Sequence, residues 1–176
     1  MLVKFTSKLK GYKLVDIEDA NYPKFTIEYN ETINLKKVEL DKEKCLVNNG
    51  ILTGTLLTFG VSFAGMIVNQ KNGLVENVSG FIPRSIWMKS KLVVPSAKSG
   101  SIKVEHKDLG AYTIFKCLKD DNTYYDRKTG WVCIGNKKSK ENNYAVKFME
   151  NAIVVFNSDN KIESVWFNFG LGLETN

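Results

Sequence analysis

The sequence predicts a mainly β protein: an antiparallel β-sandwich or β-barrel with one or two short helices. Three observations carry this prediction. Short runs of alternating apolar and polar residues are separated by turn signals roughly every 8–12 residues. Asn-Gly pairs, which favour the positive φ of hairpin turns, occur at residues 49–50 and 72–73. The segment 46–70 carries no charged side chain, although 25% of the chain is charged.

This uncharged segment is long enough for a transmembrane helix, which needs roughly 20 apolar residues. Its pattern favours strands instead. Large residues at positions 59, 61 and 63 alternate with small residues at 60, 62 and 64, which is the two-residue period of a strand. We therefore predict one or two buried strands here rather than a membrane span.

The remaining elements follow from the same alternation. Residues 13–21 could form one short helix, and residues 25–29 and 33–35 alternate like strands. The turn at 71–73 would fold 61–69 back on 74–82. Further strands are predicted at residues 85–88, 91–94, 102–106, 111–118, from 124, and 131–134.

The end of the chain gives the clearest unit. Residues 152–156 and 162–169 flank a polar five-residue loop and predict a hairpin. Both faces of the second strand carry bulky residues, which predicts a central position in its sheet. Before it, the polar run 135–143 predicts a solvated loop, and apolar residues at 144, 145, 148 and 149 predict a short helix over 140–150.

Length and composition predict one β-rich globular domain spanning residues 1–176, because 176 residues with 43% apolar content suit a single core. Lysines at 4, 8 and 10 interrupt any apolar signal segment, so we expect a cytoplasmic protein. The three cysteines, Cys45, Cys117 and Cys133, are odd in number and widely spaced, which is typical of buried thiols. The sequence leaves open whether Cys117 and Cys133 form a disulfide.

The net charge of +6 comes mainly from lysine, since only Arg84 and Arg127 among the 25 basic residues are arginines. Arginine is the usual residue for bidentate phosphate and base recognition. The lysines are also dispersed, apart from Lys137, Lys138 and Lys140. The excess charge therefore indicates a solvated surface rather than a nucleic-acid face, and it is compatible with an acidic protein partner.

The only histidine is His106, flanked by Glu105 and Asp108. It could serve as a general base, but no nucleophile motif accompanies it, and no metal-ligand spacing is present. We expect His106 at a solvated strand end. The sequence predicts no catalytic residue, no metal and no cofactor, and we interpret the paired carboxylates as turn residues.

Two clusters mix aromatic and basic residues, a composition that suits core and edge positions of a β-protein and is also found at interaction hot spots. They are the candidate partner-binding residues: Arg84, Trp87, Lys89, Tyr124, Tyr125 and Arg127.

A small, cytosolic, single-domain, β-rich chain without a catalytic motif resembles the immunity proteins of bacterial contact-dependent-inhibition and other polymorphic toxin systems. The resemblance lies in architecture and composition over the whole chain, and the hairpin AIVVFNSDNKIESVWFNF is similar in general type. It implies a stoichiometric inhibitor that binds one cognate toxin domain and covers its active site. This chain is basic, whereas inhibitors of basic nucleases are usually acidic, which leaves the kind of toxin open.

Other functions stay open at this point. The alternation of large and small residues over 59–68 would suit the wall of a barrel that carries a small ligand. A hydrolase or nuclease would have to use His106. A single-strand nucleic-acid binder is less well supported because arginines are few. Neither the strand order nor the oligomeric state follows from the sequence.

Overall fold

The computed structural model describes residues 13–15, 22–41, 46–47, 55–59, 64–110, 113–118 and 122–170, and these residues form two packed β-sheets. The strands, in chain order, are β1 (Lys13–Val15), β2 (Lys24–Tyr29), β3 (Leu40–Asp41), β4 (Leu46–Val47), β5 (Thr55–Phe59), β6 (Gly65–Val68), β7 (Val75–Phe81), β8 (Trp87–Lys89), β9 (Lys98–Glu105), β10 (Thr113–Leu118), β11 (Thr123–Tyr125), β12 (Trp131–Gly135), β13 (Tyr144–Met149), β14 (Ala152–Phe156) and β15 (Ile162–Asn168).

The first sheet has seven strands in the order β1-β10-β5-β6-β7-β4-β3, and the second has eight in the order β2-β9-β13-β14-β15-β12-β11-β8. The mainly β sandwich is confirmed, and the described strands do not close into a barrel. The sheets are mixed rather than purely antiparallel. The parallel pairs are β1–β10, β10–β5, β13–β9 and β11–β8.

One apolar core lies between the sheets. Leu57 and Met66 from the seven-stranded sheet pack in the same cluster as Phe156 and Phe167 from the eight-stranded sheet. These four side chains have no exposed surface. Burial of large apolar side chains on this scale, about 1.5–3 kcal/mol each, is the main force that holds the layers together.

The two sheets meet at a corner formed by the predicted turn at 71–73. An isolated bridge pairs Leu74 with Lys103, and the Val104 N–H donates to the Gly73 carbonyl at 2.8 Å. Gly73 has a φ of +74°, and a Cβ there would lie 2.5 Å from the Val104 oxygen. Glycine is therefore required both by the turn and by this close approach.

Both predicted hairpins are confirmed. β6 pairs antiparallel with β7, and β14 pairs antiparallel with β15. β15 lies between β14 and β12, which confirms its central position. The uncharged segment contributes β4, β5 and β6, while residues 48–54 and 60–63, including most of the 59–64 alternation, lie outside the described residues. No helix in the described part of the chain has the length and apolarity of a membrane span.

The predicted helices are wrong wherever the structure describes them. Residues 13–15 form β1, residues 144–149 form β13, and residues 16–21 lie outside the described ranges. The described residues contain one helical turn, the 3-10 segment Arg84–Ile86. A register shift between Lys147 and Met149 explains the error over 140–150, because this bulge lets the adjacent Phe148 and Met149 both be buried, as on a helix face.

The predicted strands at 33–35 and 91–94 are also wrong, since neither segment pairs with a neighbouring strand. Side-chain hydrogen bonds are made nearby, at Val38 and in segment 90–97. The Asn151 side-chain oxygen accepts the Val38 N–H at 2.7 Å, and its amide donates to the Val38 and Asn168 carbonyls at 2.7 Å each. Segment 90–97 is held by Asp126, as described below.

Candidate binding groove

The outer face of the eight-stranded sheet carries a second apolar cluster. Side chains alternate along β14 and β15, so Val154 and Val165 join the central core while Ile153 and Trp166 face outward. The strand register places Ile153, Trp166, Cys133 and Tyr124 in one row across four strands. Segment 90–97 covers this row and adds Leu92, Val94 and Ala97 to the cluster.

Asp126 holds this covering segment in place. Its side chain is almost fully buried, with 5% of the residue surface exposed. One carboxylate oxygen accepts the Leu92 N–H at 2.9 Å, and the other accepts the Lys128 N–H at 2.9 Å. Hydrogen bonds from the Leu92, Lys128 and Thr129 backbones lower the pKa of Asp126, against the opposing effect of burial. The ionised carboxylate thus connects the turn after β11 to segment 90–97.

Lys137 connects the same segment to the loop between β12 and β13. Its ammonium group donates to the Ser90 hydroxyl at 2.8 Å and lies 4.3 Å from the centroid of the Tyr124 ring. Both contacts fix the position of the ammonium group. At the base of this loop, the Asn136 N–H donates to the Glu163 carbonyl at 3.1 Å. The loop is therefore tied to the sheet on one side and to segment 90–97 on the other.

Between these two segments lies a cavity of about 960 Å³ that is open to solvent. We call it the lysine groove, because its lining includes five lysines and one carboxylate, Glu141. The five are Lys91, Lys98, Lys137, Lys138 and Lys140. Its apolar lining includes Val94, Pro95, Ala145 and Val155.

The lysine groove has an excess of positive charge. Lys140 lies 3.9 Å from a Glu163 carboxylate oxygen, which partly neutralises it. Lys91, Lys98 and Lys138 are exposed, and no described residue forms an ion pair with them. Concentrated like charge in a concave site raises the local concentration of an oppositely charged ligand.

Two tyrosines line the groove beside its apolar surface. Tyr144 stacks on Phe156 with ring centroids 5.2 Å apart, whereas Tyr29 is 47% exposed. Burial raises the pKa of Tyr144, and the nearby Tyr29 adds to the effect. Val93, also part of the lining, is 79% exposed. Exposed Tyr29 and Val93 add apolar contact area to a cationic site.

Most of the predicted partner-binding residues do come together, at the edge of the eight-stranded sheet beside this groove. β8 and β11 are parallel neighbours that pair Trp87 with Thr123 and Lys89 with Tyr125. Arg84 begins the 3-10 turn that leads into β8, and Arg127 is exposed in the turn after β11.

Two of the predicted residues are part of the interior. Tyr125 is only 5% exposed and packs with Val132, and the half-buried Trp87 lies 5.5 Å from the Tyr125 ring. Tyr125 therefore presents no surface to a partner. Tyr124, on the opposite strand face, supports Lys137 and is the predicted residue most closely tied to the groove.

His106 does not occupy a solvated strand end, and that expectation is wrong. Its side chain is 5% exposed and packs edge-on against Phe115, with ring centroids 4.7 Å apart. The Asp108 N–H donates to its Nδ1 at 3.0 Å. This hydrogen bond caps the turn that follows β9.

The cysteines match the prediction of buried thiols in the two described cases. Cys117 and Cys133 are buried and are not bridged to each other, while Cys45 lies outside the described residues. Burial raises the pKa of the Cys117 thiol. Among the described residues, no group of three or more His, Cys, Asp or Glu side chains could hold a metal ion.

Sequence reasoning missed the groove itself, although part of its signal was visible. Lys137, Lys138 and Lys140 form the one local concentration of lysines in the chain, and they lie in the correctly predicted loop. Their counterparts Lys91 and Lys98 are about 40–50 positions away in sequence. The contacts of Asp126 and Lys137, together with the parallel pairing of β13 with β9 at Lys98, bring the two groups together.

No protein-family model matches the chain, and no curated protein sequence matches it either.

Proposed function

We propose that this chain is a binding protein that holds one protein partner at the lysine groove and thereby inhibits it. The observation that carries the proposal is the groove itself, an open cavity with a cationic rim and an apolar lining. Its two walls are held in place by hydrogen bonds of Asp126 and Lys137. Binding surfaces that are fixed before association lose less conformational entropy on binding.

The chemistry of the groove favours recognition over catalysis. Its rim supplies ammonium groups, which attract and orient negative charge, and its lining supplies aliphatic contact. His106, the residue on which a hydrolase or nuclease would depend, does not line the groove and packs against Phe115. An open groove also suits a macromolecule better than a small ligand, since ligand pockets usually enclose most of the ligand surface.

The inhibitory role we propose is neutralisation of a toxin domain in the bacterial cytoplasm, as implied by the resemblance to immunity proteins. An inhibitor of this kind must associate quickly with one partner. A cationic groove supports that requirement, because electrostatic steering raises association rates toward an acidic surface.

Co-expression with the product of the adjacent gene, which we expect to contain the toxin domain, tests the proposal. We expect a 1:1 complex by native mass spectrometry and restored growth of cells that produce the toxin domain. Separate elution of the two proteins, together with unrelieved toxicity, would contradict the proposed function.

A further inference from the structure

We infer that the lysine groove binds an extended, carboxylate-rich segment of its protein partner, with ammonium groups pairing to carboxylates and aliphatic side chains contacting the groove lining. The inference rests on the proposed function and adds the chemistry of the partner.

Charge complementarity is the first argument. Lys91 and Lys98 belong to one wall of the groove and Lys138 to the other, and all three are exposed without an ion pair among the described residues. Glu141 is the single carboxylate of the lining. A partner that supplies carboxylates at this position would satisfy three charges that the described residues leave to solvent.

The apolar lining is the second argument, because it separates a peptide from a nucleic acid. Val94, Pro95, Ala145 and Val155 are aliphatic, and neither arginine of the chain lines the groove. Nucleic-acid grooves combine basic residues with exposed aromatic faces on which bases stack. Here the Tyr144 ring is already stacked on Phe156, so that Tyr29 is the one exposed aromatic ring among the described lining residues. Aliphatic side chains of a peptide fit this surface better than bases do.

The net charge of the chain is the third argument. At +6, a second copy would bring a positive excess toward a positive groove. Like-charge repulsion disfavours that association. The occupant is therefore an acidic segment of another protein.

An alternating peptide provides a defined probe. In the extended conformation, the capped octapeptide (Glu-Val)4 presents carboxylates on one face and valines on the other. We expect it to shift the backbone NMR signals of residues 91–98 and 137–145, with an affinity that falls as sodium chloride rises from 50 to 300 mM. The neutral peptide (Gln-Val)4 should cause no such shifts.

Charge-reversal variants locate the site. The triple variant K91E/K98E/K138E should weaken binding of (Glu-Val)4 by about tenfold or more, since several ion pairs are lost and become repulsive. The matched control K71E/K107E/K116E makes the same charge change at exposed lysines outside the groove and should bind within about twofold of the parent protein. All six positions are exposed, so both variants should keep the parent's unfolding midpoint.

Several results would overturn the inference. These are no spectral change at 1 mM peptide, equal binding of (Gln-Val)4, equal weakening by both triple variants, or tighter binding of a ten-residue oligothymidylate than of (Glu-Val)4. The outcomes separate this inference from the proposed function. A 1:1 toxin complex that is unaffected by K91E/K98E/K138E would contradict this inference but not the proposed function. Peptide binding without toxin neutralisation would contradict the proposed function but not this inference.

Discussion

Asp126→Asn is the perturbation that most directly tests how the groove is assembled. The carboxylate accepts the Leu92 N–H on one oxygen and the Lys128 N–H on the other. Asparagine keeps the size and one acceptor oxygen but replaces the second with an amide that cannot accept. One buried N–H, most simply that of Leu92, then loses its partner.

The expected cost follows from these contacts. A hydrogen bond to a charged group contributes about 1.5–3 kcal/mol, and a buried donor left without a partner costs about 1–3 kcal/mol. We therefore expect Asp126→Asn to lower the free energy of unfolding by about 2 kcal/mol at pH 7. With a urea m-value of about 2 kcal/mol/M, the urea midpoint would fall by about 1 M.

The same contacts predict a pH dependence. The pKa of Asp126 is lower in the folded protein than in the unfolded chain, so the unfolded state takes up the proton first. The stabilisation is complete above about pH 4 and is lost as the pH falls through the lower, folded-state pKa. The stability difference between the parent protein and Asp126→Asn should accordingly shrink in acid.

Urea unfolding at several pH values and hydrogen exchange of the Leu92 amide measure both effects. Asp159→Asn is the matched control, because Asp159 is an exposed turn residue whose carboxylate accepts no hydrogen bond from another described residue. A free energy within about 0.5 kcal/mol of the parent, with Leu92 still protected, would refute the reasoning.

Three further changes test the scaffold and the interior. Gly73→Ala should lower the free energy of unfolding by about 2 kcal/mol or more in thermal unfolding, because alanine is strained at a φ of +74° and its Cβ would lie 2.5 Å from the Val104 oxygen. The control Gly110→Ala, where the nearest described atom would lie 3.9 Å from the Cβ, should be nearly neutral. Equal losses of stability in the two variants would contradict the argument. Asn151→Ala should lower the free energy of unfolding in urea by about 2–3 kcal/mol, because the buried N–H and carbonyl of Val38 lose their partners. Asn142→Ala, at an exposed position, is the control. An unchanged urea midpoint for Asn151→Ala would disprove the stabilising role of the Asn151 side chain. In a Cys45→Ser background, the thiol reagent DTNB should leave Cys117 and Cys133 unmodified in the native protein and react with both in urea, because both are buried; rapid native labelling would be inconsistent with that burial.

The local patterns of the sequence predicted the parts of the fold that depend on neighbouring residues. The turn at 71–73 and the hairpin of β14 and β15 carry their own turn residues and alternation, so both were predicted with nearly the observed bounds. Over 140–150 the same reasoning failed, because the bulge between Lys147 and Met149 imitates helical periodicity.

The candidate site was harder to predict because its parts are distant in sequence. Tyr124 and Tyr125 look like one aromatic patch, yet a strand directs adjacent side chains to opposite faces, and only Tyr124 contacts a groove lysine. The walls of the groove meet through the carboxylate of Asp126 and the ammonium group of Lys137. No periodicity in the chain encodes these two contacts.

Hydrogen exchange of the chain with and without the proposed toxin partner is the most direct test of the lysine groove as the partner-binding surface. We expect partner-dependent protection at residues 90–98 and 136–145, with residues 84–89 and 122–128 little changed. Protection confined to β8 and β11, with segments 90–98 and 136–145 exchanging as in the isolated protein, would contradict the account.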